Sequence, residues 1–137
     1  MGLILDSSAI IAGERKGQSA ADVLSGIRAV AGPELAALSV ISVIELEHGI
    51  WRAKTAAQAS ARQKFMDDLF QAVPVYPLTF DIARMAARVG GEAQRKGVAI
   101  PFQDLVIGVT ALQFNYAVAT LNVRHFQMIP GLVVKSL

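Results

Sequence analysis

The sequence predicts an α/β fold: one domain built on a parallel sheet of four to five strands with helices on both faces. Three observations predict it. Short uncharged apolar runs alternate with longer segments whose apolar residues recur at helical spacing. Capping or stop residues bound the helical segments, so strands and helices succeed one another instead of clustering in blocks. Apolar residues make up 53% of the 137 positions and charged ones only 18%, against about 45–50% and about 25% in an average soluble domain. That excess excludes a disordered chain and requires a large core.

Each element has its own signal. Leu3-Ile4-Leu5 suits a strand buried on both faces. Ser7 to Arg15 reads as a short helix ending at Gly17. Ser19-Ala-Ala-Asp22 is a capping arrangement for a helix carrying Val23, Leu24, Ile27 and Val30, which Gly32-Pro33 stops. Leu35 to Leu38 is the second strand. Ser42, with Glu45 three residues on, forms a capping box opening a helix through Trp51, and an alanine-rich helix follows from Thr55 to Phe70. Val73 to Leu78 is the third strand, placed at a sheet edge by Pro74 and Pro77. Thr79 caps a long helix with Ile82, Met85 or Ala86, Val89 and Ala93, which Gly97 terminates. Pro101 falls in the first turn of the next helix, which ends near Asn115. Tyr116 to Thr120 is the fourth strand. After a turn at Val123 to Phe126, Leu132 to Lys135 is the fifth.

Several function classes drop out. With no cysteine there is no disulfide framework, thiolate metal site or cysteine nucleophile. The phosphate cradles G-x-x-x-x-G-K and G-x-G-x-x-G and the nucleophile elbow G-x-S-x-G are all missing. Leu105 to Val123 carries no charge over 19 residues, nominally enough to span a bilayer. Gln113, Asn115 and Asn122 interrupt it, so no membrane span is expected. Met1 to Asp6 is too short for a signal-peptide core, and a cytoplasmic protein of one domain, residues 1–137, is the expectation. Thirteen basic and eleven acidic residues leave a net charge of +2, too little to argue for nucleic acid by itself.

In parallel sheets ligands bind at the carboxyl ends of the strands, and the acids fall there. Asp6 follows the first strand directly, as a rim carboxylate or as a helix N-cap. Glu45 lies on the same rim, as a ligand or as half of the capping box. It also begins a Glu-x-x-His pair with His48, but di-iron bundles need that motif twice, and His48 reads as a packed or solvent-edge residue. Asp104 opens a helix that is otherwise apolar. It complements the helix dipole, yet an acid there is costly to desolvate without a positive partner. The nearest upstream cation is Lys96, so a bound cation is its natural partner. At the end of the fourth strand Thr120 could orient a carboxylate, and Asn122 is a turn residue or a neutral oxygen ligand. Three acids and an amide make an all-oxygen site suited to Mg²⁺ or Mn²⁺, and to metal-assisted attack on a phosphodiester.

The runs Leu-Ile-Leu-Asp6-Ser-Ser-Ala-Ile-Ile, Ser42-Val-Ile-Glu45-Leu, Ile-Pro-Phe-Gln-Asp104-Leu-Val-Ile and Val-Ala-Thr120-Leu-Asn122-Val-Arg-His-Phe together resemble the PIN-domain ribonucleases. The closest likeness is to the VapC toxins of bacterial toxin–antitoxin pairs, and it covers essentially the whole chain. The resemblance implies a three-layer α/β/α sandwich with a PIN-like (Rossmann-like) sheet. It implies a Mg²⁺- or Mn²⁺-dependent endoribonuclease whose metal ligands are Asp6, Glu45 and Asp104; on the reading of the residues above, Thr120 and Asn122 supply orientation. It further implies a homodimer, a cognate VapB-like antitoxin, operator DNA bound through the antitoxin complex, and a structured RNA substrate such as tRNA or rRNA. Many relatives carry a fourth acid where this chain has Asn122, and the acid that some place shortly before the Phe is here His125. A second metal is therefore expected to bind weakly or only with RNA. His125 is either a solvated turn residue or a substrate contact.

Two surface features remain. Arg52, Lys54, Arg62 and Lys64 fall in one helical pair, and Arg84, Arg88 and Arg95 step along one helix face, as a track for a phosphate backbone or as solvated faces. Trp51, Phe65, Leu69 and Phe70 form either an oligomer or antitoxin surface or the packing of a helix pair on itself. Alternatives to the toxin are a catalytically weak PIN-like module binding RNA or antitoxin, and a PIN nuclease in RNA maturation with no antitoxin.

Overall fold

The computed structural model describes residues 1–137, in the order β1 (Leu3–Leu5), α1 (Ser7–Arg15), α2 (Ala20–Ala31), β2 (Ala36–Ser39), α3 (Val40–Trp51), α4 (Ala56–Ala72), β3 (Val75–Tyr76), α5 (Phe80–Arg95), α6 (Phe102–Phe114), β4 (Ala117–Thr120), α7 (Val123–Phe126) and β5 (Val134–Ser136). The five strands form one parallel sheet in the order β3-β2-β1-β4-β5. Strand order runs one way from β1 to β2 and the other way from β1 to β4, so the crevice of a doubly wound sheet opens at the carboxyl end of β1.

The period-two alternation of the strands sorts the core into layers. Leu3, Leu5, Ala36, Leu38, Ala117 and Ala119 face a cluster with Ile10, Val23, Leu24, Ile27, Phe65, Met66 and Leu69, contributed by α1, α2 and α4. Ile4, Ala37 and Val118 face the opposite way, onto Ile107 and Ala111 of α6 and onto Phe126 and Ile129. The α5 helix packs Ile82 and Ala86 on Val109 of α6. Three layers result, as the α/β/α sandwich requires. Gly108 allows a close approach: a Cβ there would meet the side chains of Ile129 and Leu132, so its missing side chain lets the 126–132 segment pack close on α6.

Several boundaries differ from the sequence reading. Ser42 does not cap α3. The cap is Ser39, whose hydroxyl accepts from the Ile41 N–H, while Ser42 is buried inside the helix with its hydroxyl unpartnered. The helix begins directly where β2 ends, and a cap three residues later would have left a loop between them. The third strand lies at the edge but pairs over only two residues, since Pro74 and Pro77 cannot donate to the ladder. Pro101 stands one residue ahead of α6. Ala31 rather than Val30 completes the buried face of α2. Asn115 ends α6 in the left-handed conformation, φ 55°. No helix is long and apolar enough to cross a membrane, because the uncharged stretch divides into α6 and β4.

Phe65 and Leu69 are buried in the core of the single chain, and Phe70 packs against it. Of the residues read as a joint surface, Trp51 alone is exposed, at 85%. The α4 helix turns its apolar stripe inward onto α2 and the sheet.

Candidate active site

Asp6 leaves β1 at the N-cap position of α1, but its carboxylate caps nothing. It is almost fully buried, and its Oδ2 accepts from Thr120 Oγ1 at 2.8 Å and from Ser8 Oγ at 2.8 Å. The register explains the first contact. Leu5 lies beside Ala119, so the next residue of each strand meets at the rim. Thr120 is fully buried, and its hydroxyl also accepts the Asn122 N–H at 2.8 Å. It thereby fixes both the acid and the turn that follows β4.

Thr120→Val removes the donor to Asp6 and the acceptor for Asn122 without changing shape. It is expected to destabilise the chain by about 1–3 kcal/mol, read as a lower midpoint in urea melts. An unchanged midpoint would show that Ser8 alone holds the carboxylate.

Glu45 projects from α3, where its Oε2 accepts from Ser7 Oγ at 2.8 Å and from the Gln103 amide. Ser7 belongs to α1 and Gln103 to α6, so three helices converge on one carboxylate. The sequence reading missed Ser7, Ser8 and Gln103. Their signal was adjacency: two hydroxyls follow Asp6, and an amide precedes Asp104. His48 is exposed on α3, with no hydrogen-bond partner in the chain.

Asp104 sits in the first turn of α6. Burial pushes its carboxyl above the ordinary value, and the charges of Asp6 and Glu45 push the same way, while the His125 hydrogen bond pulls it down. His125 of α7 donates Nδ1–H to Asp104 Oδ2 at 2.7 Å. No lysine or arginine of the same turn meets this acid; its partner is the imidazole 21 residues on. His125 is thus not a free turn residue. Its Nδ1–H orients the acid, and its Nε2 stays free. Asn122 is exposed at the start of α7 and its side chain makes no capping bond.

In each of the three acids a single oxygen takes every side-chain hydrogen bond, leaving Asp6 Oδ1, Glu45 Oε1 and Asp104 Oδ1 free. Free carboxylate oxygens on one rim are the donors a hard divalent cation prefers. No three His, Asp or Glu side chains gather closely enough to hold an ion ready-made. Like charges repel, and a cation would draw them inward. The donor chemistry therefore fits a divalent cation held by Asp6, Glu45 and Asp104.

The basic residues divide on inspection. Arg62 donates to the Gly49 carbonyl and lies 3.6 Å from Glu14, and Lys64 is paired with Asp68, so both are engaged within the chain. Arg52 and Lys54 are exposed. Arg84 lies over the Phe80 ring at 5.8 Å, and Arg88 and Arg95 are exposed further along α5.

The PIN domain family model matches residues 3–131. Ribonuclease VapC of Rickettsia bellii is 31% identical over 134 residues, covering 98% of this chain and 95% of that protein. Ribonuclease VapC19 of Mycobacterium tuberculosis is 32% identical over 117 residues, covering 85% of this chain and 86% of its own length. Among solved structures, VapBC2 from Rickettsia felis, bound to a DNA fragment from the promoter, superposes with a TM-score of 0.84 at 20% identity, covering 100% of this chain and 99% of that one.

Proposed function

The chain belongs to the PIN-domain family and, within it, to the VapC ribonucleases, and from that premise we propose that it is a Mg²⁺- or Mn²⁺-dependent endoribonuclease toxin. It cuts phosphodiesters of a structured RNA, tRNA or rRNA, with water as nucleophile, leaving 5′-phosphate and 3′-hydroxyl ends. It acts in the cytoplasm as a homodimer and is silenced by a cognate VapB-like antitoxin, through which it reaches operator DNA.

The observation that carries the reading is the rim itself: Asp6, Glu45 and Asp104 come from three separate elements, each with one oxygen tied down and one free. A divalent cation bound there supplies an acidified water and a counter-charge for the phosphoryl group. The chain's own residues set the geometry. Thr120 and Ser8 fix Asp6, Ser7 and Gln103 fix Glu45, and His125 fixes Asp104, as outer partners orient ligands in metal sites. With Asn122 in place of a fourth acid and His125 donating a proton where some relatives add a charge, the cluster holds a single cation well.

The test is incubation of total cellular RNA with purified, antitoxin-free protein and Mn²⁺, beside EDTA and Asp6→Asn controls, mapping the new ends. Discrete cuts with 5′-phosphates, absent in both controls, are expected. Calorimetry at millimolar Mg²⁺ without RNA is expected to find one site, and two well-occupied sites would overturn the single-cation reading. Absence of cutting by folded protein favours the binding module, for which Asn122→Asp is the next variant.

A further inference from the structure

Resting on the nuclease reading above, we propose that the trough between α3 and the start of α6 receives an unpaired base of the RNA beside the cut phosphodiester, with Phe102 as its stacking surface. The trough is a cavity of about 280 Å³. Ile41, Glu45 and His48 line it from one face of α3, Arg52 from just past the end of that helix, and Phe102 and Gln103 from the first turn of α6. Spacings of four, three and four residues put the α3 set in one row. That row carries an acid of the proposed site and ends at an exposed guanidinium.

A nucleotide next to a cut phosphate presents the complementary sequence of groups. Its own phosphate needs a cation, which Arg52 supplies. Its base needs a flat apolar surface, and Phe102 is 68% exposed although it immediately precedes the residues that build the site. A phenyl ring left in water at that position contributes nothing to the core clusters. His48, exposed in the same row, offers both a donor and an acceptor to a base edge. Gln103 bonds the Glu45 carboxylate and lines the trough as well, so an occupant touches the group that holds the acid. Stacking of this kind accepts any base, because every base has a π-face. The rival occupant is a second copy of this chain, since Ile44 is also 56% exposed there. An acid and an exposed cation lining the same trough suit a nucleotide better than an apolar twofold contact.

The experiment uses the Asp6→Asn protein, which is expected not to cut, and a fluorescein-labelled single-stranded oligoadenylate read by anisotropy. Adding Phe102→Ala is expected to weaken binding about tenfold, and Phe102→Trp to retain it. With cleavage-competent protein, Phe102→Ala is expected to raise KM for RNA more than it lowers kcat. Equal affinity with and without the Phe102 ring overturns the base site. Equal affinity accompanied by a fall in sedimenting mass assigns the face to a second copy instead. Should the protein without Asp6→Asn cut no RNA with Mn²⁺, the nuclease reading fails, while the anisotropy comparison still decides the trough.

Discussion

Asp104→Asn is expected to lower RNA cleavage by at least about a hundredfold, the order lost with one electrostatic contact to a transition state, while leaving the fold as stable as before or more so. The two effects share one cause. Asp104 is held where burial and the charges of Asp6 and Glu45 all disfavour its ionised form, with only His125 opposing them. Its folded pKa therefore stands above the ordinary value, so the folded state holds this proton more tightly than the unfolded chain does. The contribution favours folding fully below the unfolded value, near 3.8, and is lost as pH rises through the folded one. At pH 7 the ionised acid is a cost kept for function. An amide of the same shape removes it. In chelator-treated protein the melting temperature at pH 7 is expected not to fall in the variant, and the difference from the parent should shrink toward pH 4. A lower melting temperature at pH 7 would mean that the His125 hydrogen bond outweighs the repulsion.

Phe126→Ala is expected to be the most destabilising of the substitutions considered, at about 3–5 kcal/mol, lowering the melting temperature by on the order of 10 °C. Phe126 is fully buried and packs in the cluster with Ile4, Ile107, Ala111, Val118 and Ile129. It is also the only buried residue of the four-residue helix α7. So short a helix has no intrinsic stability, and this ring is what holds it against α6. Loss of the ring should therefore free His125 from Asp104 as well as open a cavity. His125→Ala separates the two consequences: it should reduce cleavage without the large fall in melting temperature. Equal melting temperatures for the parent and Phe126→Ala would mean that α7 is anchored by its backbone.

Local pattern carried much of this in the sequence, and pairing across distance did not. Asp6, Glu45 and Asp104 could be picked out because each follows or opens an element whose apolar run is unmistakable, and the end of a parallel strand is a defined place. Of their partners only Thr120 was singled out, as a hydroxyl able to orient a carboxylate, and which acid it meets was not legible. His125 reaches Asp104 across 21 positions, and Thr120 reaches Asp6 across 114; only the register of β1 on β4 and the packing of α7 bring them together. The capping error at Ser42 has a local origin: Ser39 and Ser42 are both plausible caps, and Glu45 three residues after the second decided for the wrong one. Phe65 and Leu69 stayed open between a partner surface and packing within the chain because a helix's apolar stripe reads the same whether it faces its own core or a partner.

The placement of β4 between β1 and β5 also orders events during synthesis. The central strand β1 is made first, but one of its two neighbours comes more than a hundred residues later. At roughly 5–20 residues per second, the ribosome has been extending the chain for several seconds before Thr120 exists to meet Asp6. Until then Leu3-Ile4-Leu5 has an open flank, and the acidic rim has neither its hydroxyl clamp nor His125. A nascent chain is consequently inert as a nuclease for almost its whole time on the ribosome. Activity arrives in one step, when the carboxyl-terminal quarter docks.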